Sequence, residues 1–379
     1  MTSKFDDIRP FDDADLTPVL AKLLENEQLM RTLVAFRFSN WPSFTKPILK
    51  VLVKQQLHKK VKTIKNLRQF QTIIEPYMER MLKHTTKGLS FSGLEDLDMT
   101  QACLFMSNHR DIALDPALVN WVLHLNKQET VRIAVGDNLL HTDWVADIIR
   151  LNKCFIVQRS IKDRRQKLSA AKLLSEYIHY SLKHDKQHIW IAQQEGRAKD
   201  GMDLTNPAII SMLCLNKPKD LDFAEYVSSL RIVPVSISYE FDPCDIAKAK
   251  ELYKAQQEGS YDKPDNEDIN SIIKGIKGNK GKVHLHFGKI VGADFDNTKD
   301  VAKYVDEQIL QGYQTYPTAL VAAKILSHQN SVSDPSLNQI AVESEYREAF
   351  EYLQSRLSEL NKDEQALLLS MYANPTLRT

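Results

Sequence analysis

No stretch of this chain approaches the run of about 18–20 consecutive apolar residues that a membrane-spanning helix needs. The first residues, Met1-Thr2-Ser3-Lys4-Phe5-Asp6-Asp7, are too polar for a signal peptide. The four cysteines, Cys103, Cys154, Cys214 and Cys244, form no Cys-x-x-Cys pair. That argues against a disulfide framework or a zinc site and for buried, reduced thiols. Excess charge is also missing. A net charge of +1 over 379 residues disfavours a nucleic-acid partner held by bulk charge. There is no internal repeat, and no Gly-x-Ser-x-Gly turn to carry a serine nucleophile. What is left, at 43% hydrophobic and 26% charged residues, is an ordinary globular chain of one large or two modest domains. It is expected in the cytoplasm, or on the inner face of a membrane that it does not cross. No metal and no resident cofactor are expected.

One absence is local. Between Gln28 and Ile74 there is no Asp or Glu, while ten Lys or Arg occur. Phe36, Phe38, Trp41 and Phe44 cluster ahead of Pro47. Leu49, Val53, Leu57, Val61 and Ile64 then recur at helical spacing, and Lys46, Lys50 and Lys54 form an i, i+4 row. A basic amphipathic helix preceded by aromatics suits a membrane surface with anionic lipid: apolar side chains enter the headgroup boundary and Lys meets lipid phosphate. The plainer alternative is a helix packed on the rest of the protein with a solvated basic face.

Ahead of that stretch, Leu16, Leu20, Leu23 and Leu24 have helical spacing, with Asp15 or Thr17 as a cap. From about Gly88 the texture alternates. Apolar runs at 89–91, 102–106, 131–135, 154–157, 188–192, 232–238 and 283–287 read as strands. Helical patterns at 116–125, 143–151, 163–183, 207–215 and 245–257 lie between most of them. Residues 256–282 read as a long exposed loop. The fold class is therefore α/β, a mixed, largely parallel sheet flanked by helices. Residues 1–86 form a helical N-terminal region, 87–297 the α/β domain and 298–379 a helical C-terminal extension. Pro234 inside the run 232–238 predicts an edge strand or a bulge.

Chemistry collects where such strands end. The run 102–106 ends in Ser107-Asn108-His109-Arg110-Asp111, with Asp115-Pro116 close behind. A His beside carboxylates is the material of a general base with an orienting partner. Asp115 before Pro116 is equally a helix cap. The run 154–157 delivers Arg159, and the run 188–192 leads to Glu195-Gly196-Arg197. Guanidiniums suit phosphate recognition. His284 and His286 share one strand face and read as structural rather than as metal ligands.

These segments, in this order, resemble the glycerolipid acyltransferases, specifically the lysophosphatidic-acid and glycerol-3-phosphate acyltransferases. The blocks are Asn108-His109 with a downstream Asp, Phe155-Ile156-Val157-Gln158-Arg159, Glu195-Gly196-Arg197 and Val233-Pro234-Val235. Two spacings depart from the family pattern. The family's Asp position holds Leu114, so a one-residue insertion makes Asp115 the partner of His109, with Asp111 as runner-up. The third block lacks the Thr before its Arg. The resemblance does not reach residues 1–80 or the helices beyond about 298.

It implies an O-acyltransferase of phospholipid biosynthesis. His109 would take the proton of an acceptor hydroxyl, which attacks a thioester donor, acyl-CoA or acyl-ACP (acyl-carrier protein), with no covalent acyl-enzyme. Arg159 and Arg197 would hold the phosphate of glycerol 3-phosphate or a lyso-lipid. Glu195 would fix an Arg or a hydroxyl, with Gly196 beside it, and Asn108 or nearby backbone N–H groups would serve the oxyanion. The rival readings are a non-catalytic lipid-binding protein on the same scaffold, a hydrolase of acyl esters or thioesters, and a phosphate-handling enzyme in which His109 is a metal ligand.

Overall fold

The structure is a computed structural model, and it describes residues 4–38, 41–140, 142–264, 267–327 and 344–378. The chain divides into two compact units. One comprises residues 1–79 and 132–177, the other 80–131 and 178–379.

The first unit begins with helix α1 (Asp13–Glu25). Its cap is Asp12, whose carboxylate accepts the N–H groups of Ala14 and Asp15, and Asp15 returns a bond to the Asp12 N–H. Asp15 is thus the closing half of a capping box rather than the cap itself. Leu16, Leu20 and Leu23 are buried with Leu29 and Met30 of α2 (Glu27–Arg37). Helix α3 (Lys46–Val61) follows a Pro-opened turn. Residues 132–177 add two parallel strands, β3 (Arg132–Gly136) and β4 (Cys154–Val157), and helix α6 (Asp143–Leu151) between them.

The second unit is built on strands β1 (Gly88–Ser92), β2 (Leu104–Ser107), β5 (Ile189–Ala192), β6 (Ile232–Tyr239) and β7 (Lys282–Phe287). They run in the order β1-β7-β6-β2-β5. Only β6 and β7 pair antiparallel among the described pairings. The sheet is mixed and largely parallel, as expected from apolar runs buried on both faces. Leu104, Phe105 and Met106 are fully buried, and the Phe105 ring meets Phe287 edge-on at 5.7 Å.

Two expectations fail here. Pro234 lies in an interior strand, paired with Met106 of β2. It is tolerated because it stands one residue outside the antiparallel ladder with β7, which begins at Val235, and its carbonyl still accepts the Gly288 N–H. Residues 256–282 are not a continuous loop. They contain helix α11 (Glu267–Lys277), whose Gly275 packs directly on the Asp111 carboxylate.

The C-terminal segment is helical and joined to the second unit's core. Helices α13 (Pro317–Ser327), α14 (Ser344–Leu357) and α15 (Lys362–Leu377) share one apolar cluster with Ala249 of α10 (Asp245–Glu258). Burial pushes the thiols of Cys154, Cys214 and Cys244 up, to about 12, 11 and 11, so they stay protonated and inert.

Candidate active site

Strand β2 ends at Ser107, and residues 108–113 form the turn into α5 (Leu114–Leu125). His109 Nδ1 lies 2.8 Å from Asp115 Oδ2. The same oxygen accepts the backbone N–H groups of Arg110 at 2.6 Å and Asp111 at 2.9 Å. Asp115 has no exposed surface. Its other oxygen accepts the Tyr239 hydroxyl at 2.7 Å. A carboxylate so placed only accepts, so Nδ1 carries the imidazole proton and Nε2 presents its lone pair. The Trp190 ring meets the imidazole edge-on at 5.5 Å, and Trp190 Nε1 donates to Ser107 Oγ at 3.1 Å.

The two candidate carboxylates therefore have separate tasks. Asp115 holds His109. Asp111 caps α5, its Oδ1 accepting the N–H groups of Ala113 and Leu114 at 2.9 and 2.8 Å. Burial, then the neighbouring Asp115 charge, pushes the Asp111 carboxyl up to about 6. Gly275 leaves no room beyond it: a Cβ there would lie 2.0 Å from Asp111 Oδ2.

Asn108 is not available to an oxyanion. Its amide is buried and spends both polar atoms on Ile237, donating to the carbonyl at 3.0 Å and accepting the N–H at 2.8 Å. It is a clamp between the loop and β6. Lys248 of α10, also buried, donates to the Arg110 carbonyl at 2.7 Å and to Asp242 at 2.5 Å. Arg110 pairs with Asp203 through Nε at 3.1 Å and Nη2 at 2.5 Å.

In the loop after β5, Gly196 has φ +78 with open space where a Cβ would sit, so its backbone rather than crowding requires glycine. Glu195 is exposed. The Ala198 N–H donates to the His109 carbonyl at 2.7 Å, bringing the Glu-Gly-Arg block beside the base. Arg197, expected to bind phosphate, is buried, with Nη2 3.5 Å from Ser271 of α11. Arg159 follows β4 in the first unit. Its N–H donates to Asp137 Oδ1 at 3.1 Å and its side chain is exposed. His284 and His286 are partnered by Ser90 and Ser92. Among the described residues no group of three or more His, Cys, Asp or Glu stands together as a metal site.

The aromatic and basic stretch also departs from its expected use. Leu49 and Val53 are buried with Val34, and Phe38 packs against them. Leu57, Val61 and Ile64 lean on the α1–α2 core. The periodic face is therefore a core face. Lys50 pairs with Glu27 at 2.8 Å and Lys54 with Glu25 at 2.6 Å, so both lysines turn to acids just upstream of the acid-free stretch. Yet a second apolar face is open: Trp41, Phe44, Ile48, Val51 and Leu52 are exposed, Phe44 by 82% and Ile48 by 68%. The side chain of Phe36 lies outside the described residues. No described helix is long and apolar enough to cross a membrane.

Trp190 and Tyr239 are the site residues that sequence reasoning missed. Tyr239 stands one residue beyond the run 232–238, at the end of a strand parallel to β2, which is where such residues collect.

Residues 88–238 match the family model described as Acyltransferase. No curated protein matches the chain. Among solved structures, the chain is similar to the crystal structure of the 1-acyl-sn-glycerophosphate (LPA) acyltransferase PlsC from Thermotoga maritima. The identity is 15% and the TM-score 0.36, over 79% of this chain and 94% of that one.

Proposed function

From the match of residues 88–238 to the acyltransferase family model, we propose that the protein moves a fatty acyl group from a thioester, acyl-CoA or acyl-ACP, to a hydroxyl of a glycerol-phosphate-type acceptor. The observation that carries the reading is the His109 Nδ1–Asp115 Oδ2 contact of 2.8 Å at a strand end in that domain. His109 Nε2 takes the proton as the acceptor oxygen bonds to the thioester carbonyl carbon. The tetrahedral intermediate collapses, the C–S bond breaks, and the departing thiolate takes the proton back from the imidazolium. Asp115 holds the tautomer and balances the transient positive charge. The exposed Arg159 is the group offered for the acceptor phosphate. Arg197 instead holds its loop against α11.

The test is acyl transfer by wild type and His109→Ala, with both donors and a panel of glycerol 3-phosphate and lyso-lipid acceptors. A general base contributes about 10²–10⁴-fold, so the variant should lose that much turnover while remaining folded. Turnover equal to wild type would overturn the assignment. Acyl release that ignores the acceptor would make the protein a hydrolase.

A lyso-lipid acceptor lives in a bilayer, and so does the acylated product. The exposed face of Trp41, Phe44, Ile48, Val51 and Leu52 is the surface proposed to enter it. Lys59, Lys60, Lys62 and Lys65, all exposed, supply the attraction to anionic lipid in place of the paired Lys50 and Lys54.

A further inference from the structure

Tyr239 is the last residue of β6 and lies 124 positions from Asp115 in sequence, yet its hydroxyl reaches Asp115 Oδ1 at 2.7 Å. Among the described residues the other donors to this carboxylate, His109 included, use Oδ2. Among those residues Oδ1 therefore has one hydrogen-bond donor, and it comes from a different strand. Resting on the general-base reading of His109, we infer that Tyr239 is a positioning residue that sets the strength of the His109–Asp115 pair by drawing charge onto Oδ1.

The argument is one of shared charge. A carboxylate that accepts a hydrogen bond on one oxygen offers less charge at the other. With the Tyr239 bond in place, Asp115 holds the imidazole firmly in orientation without trapping the proton it collects. Without that bond, Oδ2 attracts the imidazolium more strongly, and His109 stays protonated to higher pH. The surroundings are ionic. Asp111 and Arg110 belong to the same loop, Asp242 follows β6, Lys248 comes from α10 and Lys280 precedes β7. All are retained when only the phenol oxygen is removed. The phenol itself remains a donor, because burial and then the charge of Asp115 hold it well above its ordinary range.

Tyr239→Phe keeps the ring and deletes the bond. We expect kcat to fall about 5–30-fold, KM for donor and acceptor to stay within about twofold, and the acidic limb of the kcat/KM profile to move up by roughly 0.5–1 pH unit. A 3-fluorotyrosine placed at 239, a stronger donor that fills the same space, should move the limb the other way. It also reads the effect without deleting any contact should the Phe variant fold poorly. In an Asp115→Asn background, Tyr239→Phe should add no further loss. An acidic limb that stays put, or moves down, in Tyr239→Phe overturns the inference while leaving His109 as the base. Activity retained in His109→Ala overturns the base and this inference together.

Discussion

At the scale of single residues, Asp111 carries the clearest electrostatic cost. Its carboxyl sits at about 6 against an ordinary 3.8 because of burial and the adjacent Asp115. Above about pH 6 it is ionised in both folded and unfolded chains, and the cost of burying that charge is fully present. Below about pH 4 it is neutral in both, and the cost is gone. Stability contributed here falls as pH rises from about 4 to about 6, by on the order of 3 kcal/mol at most. Asp245, pushed to about 6 chiefly by burial, adds a slope of the same sign. Asp111→Asn keeps an oxygen for the cap on α5 and removes one of the two. Urea unfolding of this variant from pH 4 to 8 should show a flatter profile and no loss of stability at pH 7. An unchanged profile would show that Asp111 is not the group responsible.

Among elements, α3 shows why periodicity misleads. A stripe of Leu49, Val53 and Leu57 serves a core or a bilayer equally well, and only the partner decides. The structure gives that stripe to α1 and α2 and leaves Phe44, Ile48 and Leu52, which have the same i, i+4, i+8 spacing, facing outward. Each such side chain is worth about 1.5–3 kcal/mol when fully buried. Phe44→Ser with Ile48→Ser should therefore weaken vesicle binding at least tenfold in cosedimentation. Lys50→Gln and Lys54→Gln should change it little, because those charges already meet Glu27 and Glu25 in pairs of small worth. Binding lost only in the lysine variants would refute the apolar-face assignment. α11 lies within the stretch whose composition reads as a loop. Its Ile269, Ile272, Ile273 and Ile276 have the spacing of one helical face, hidden by the glycines and lysines around them.

Across the whole molecule, all seven expected strands are present within two or three residues of their predicted bounds. Buried apolar runs announce themselves locally. So did the His109–Asp115 pairing, through six residues of spacing. What stayed hidden depends on contacts far apart in sequence: Asn108 on Ile237, Lys248 on the Arg110 carbonyl, and Arg197 turned toward Ser271. The C-terminal helices are of this kind. Tyr352 and Tyr372 both donate to the buried Asp245 Oδ2, at 2.7 and 2.9 Å, and the Tyr372 oxygen accepts the Asp242 N–H. Truncation after residue 343 would leave Asp245 without those donors and strip the apolar cluster of α14 and α15. Such a chain should lose cooperative thermal unfolding, whereas Tyr372→Phe alone should cost about 1–3 kcal/mol. A truncated chain that melts like the full one would show the segment to be an appendage.

The clamp between Asn108 and Ile237, 129 residues apart, has a bearing on biosynthesis. While the chain emerges from the ribosome, β2 and the His109 loop are made early and meet β5 and the loop after it well before β6 exists. The loop gains its clamp only once residue 237 has been translated and paired, and Asp115 gains the donor to its Oδ1 two residues later. The site is therefore completed by the fourth sequence block, and a chain interrupted before β6 carries every other motif without the clamp on Asn108 or the Tyr239 bond to Asp115.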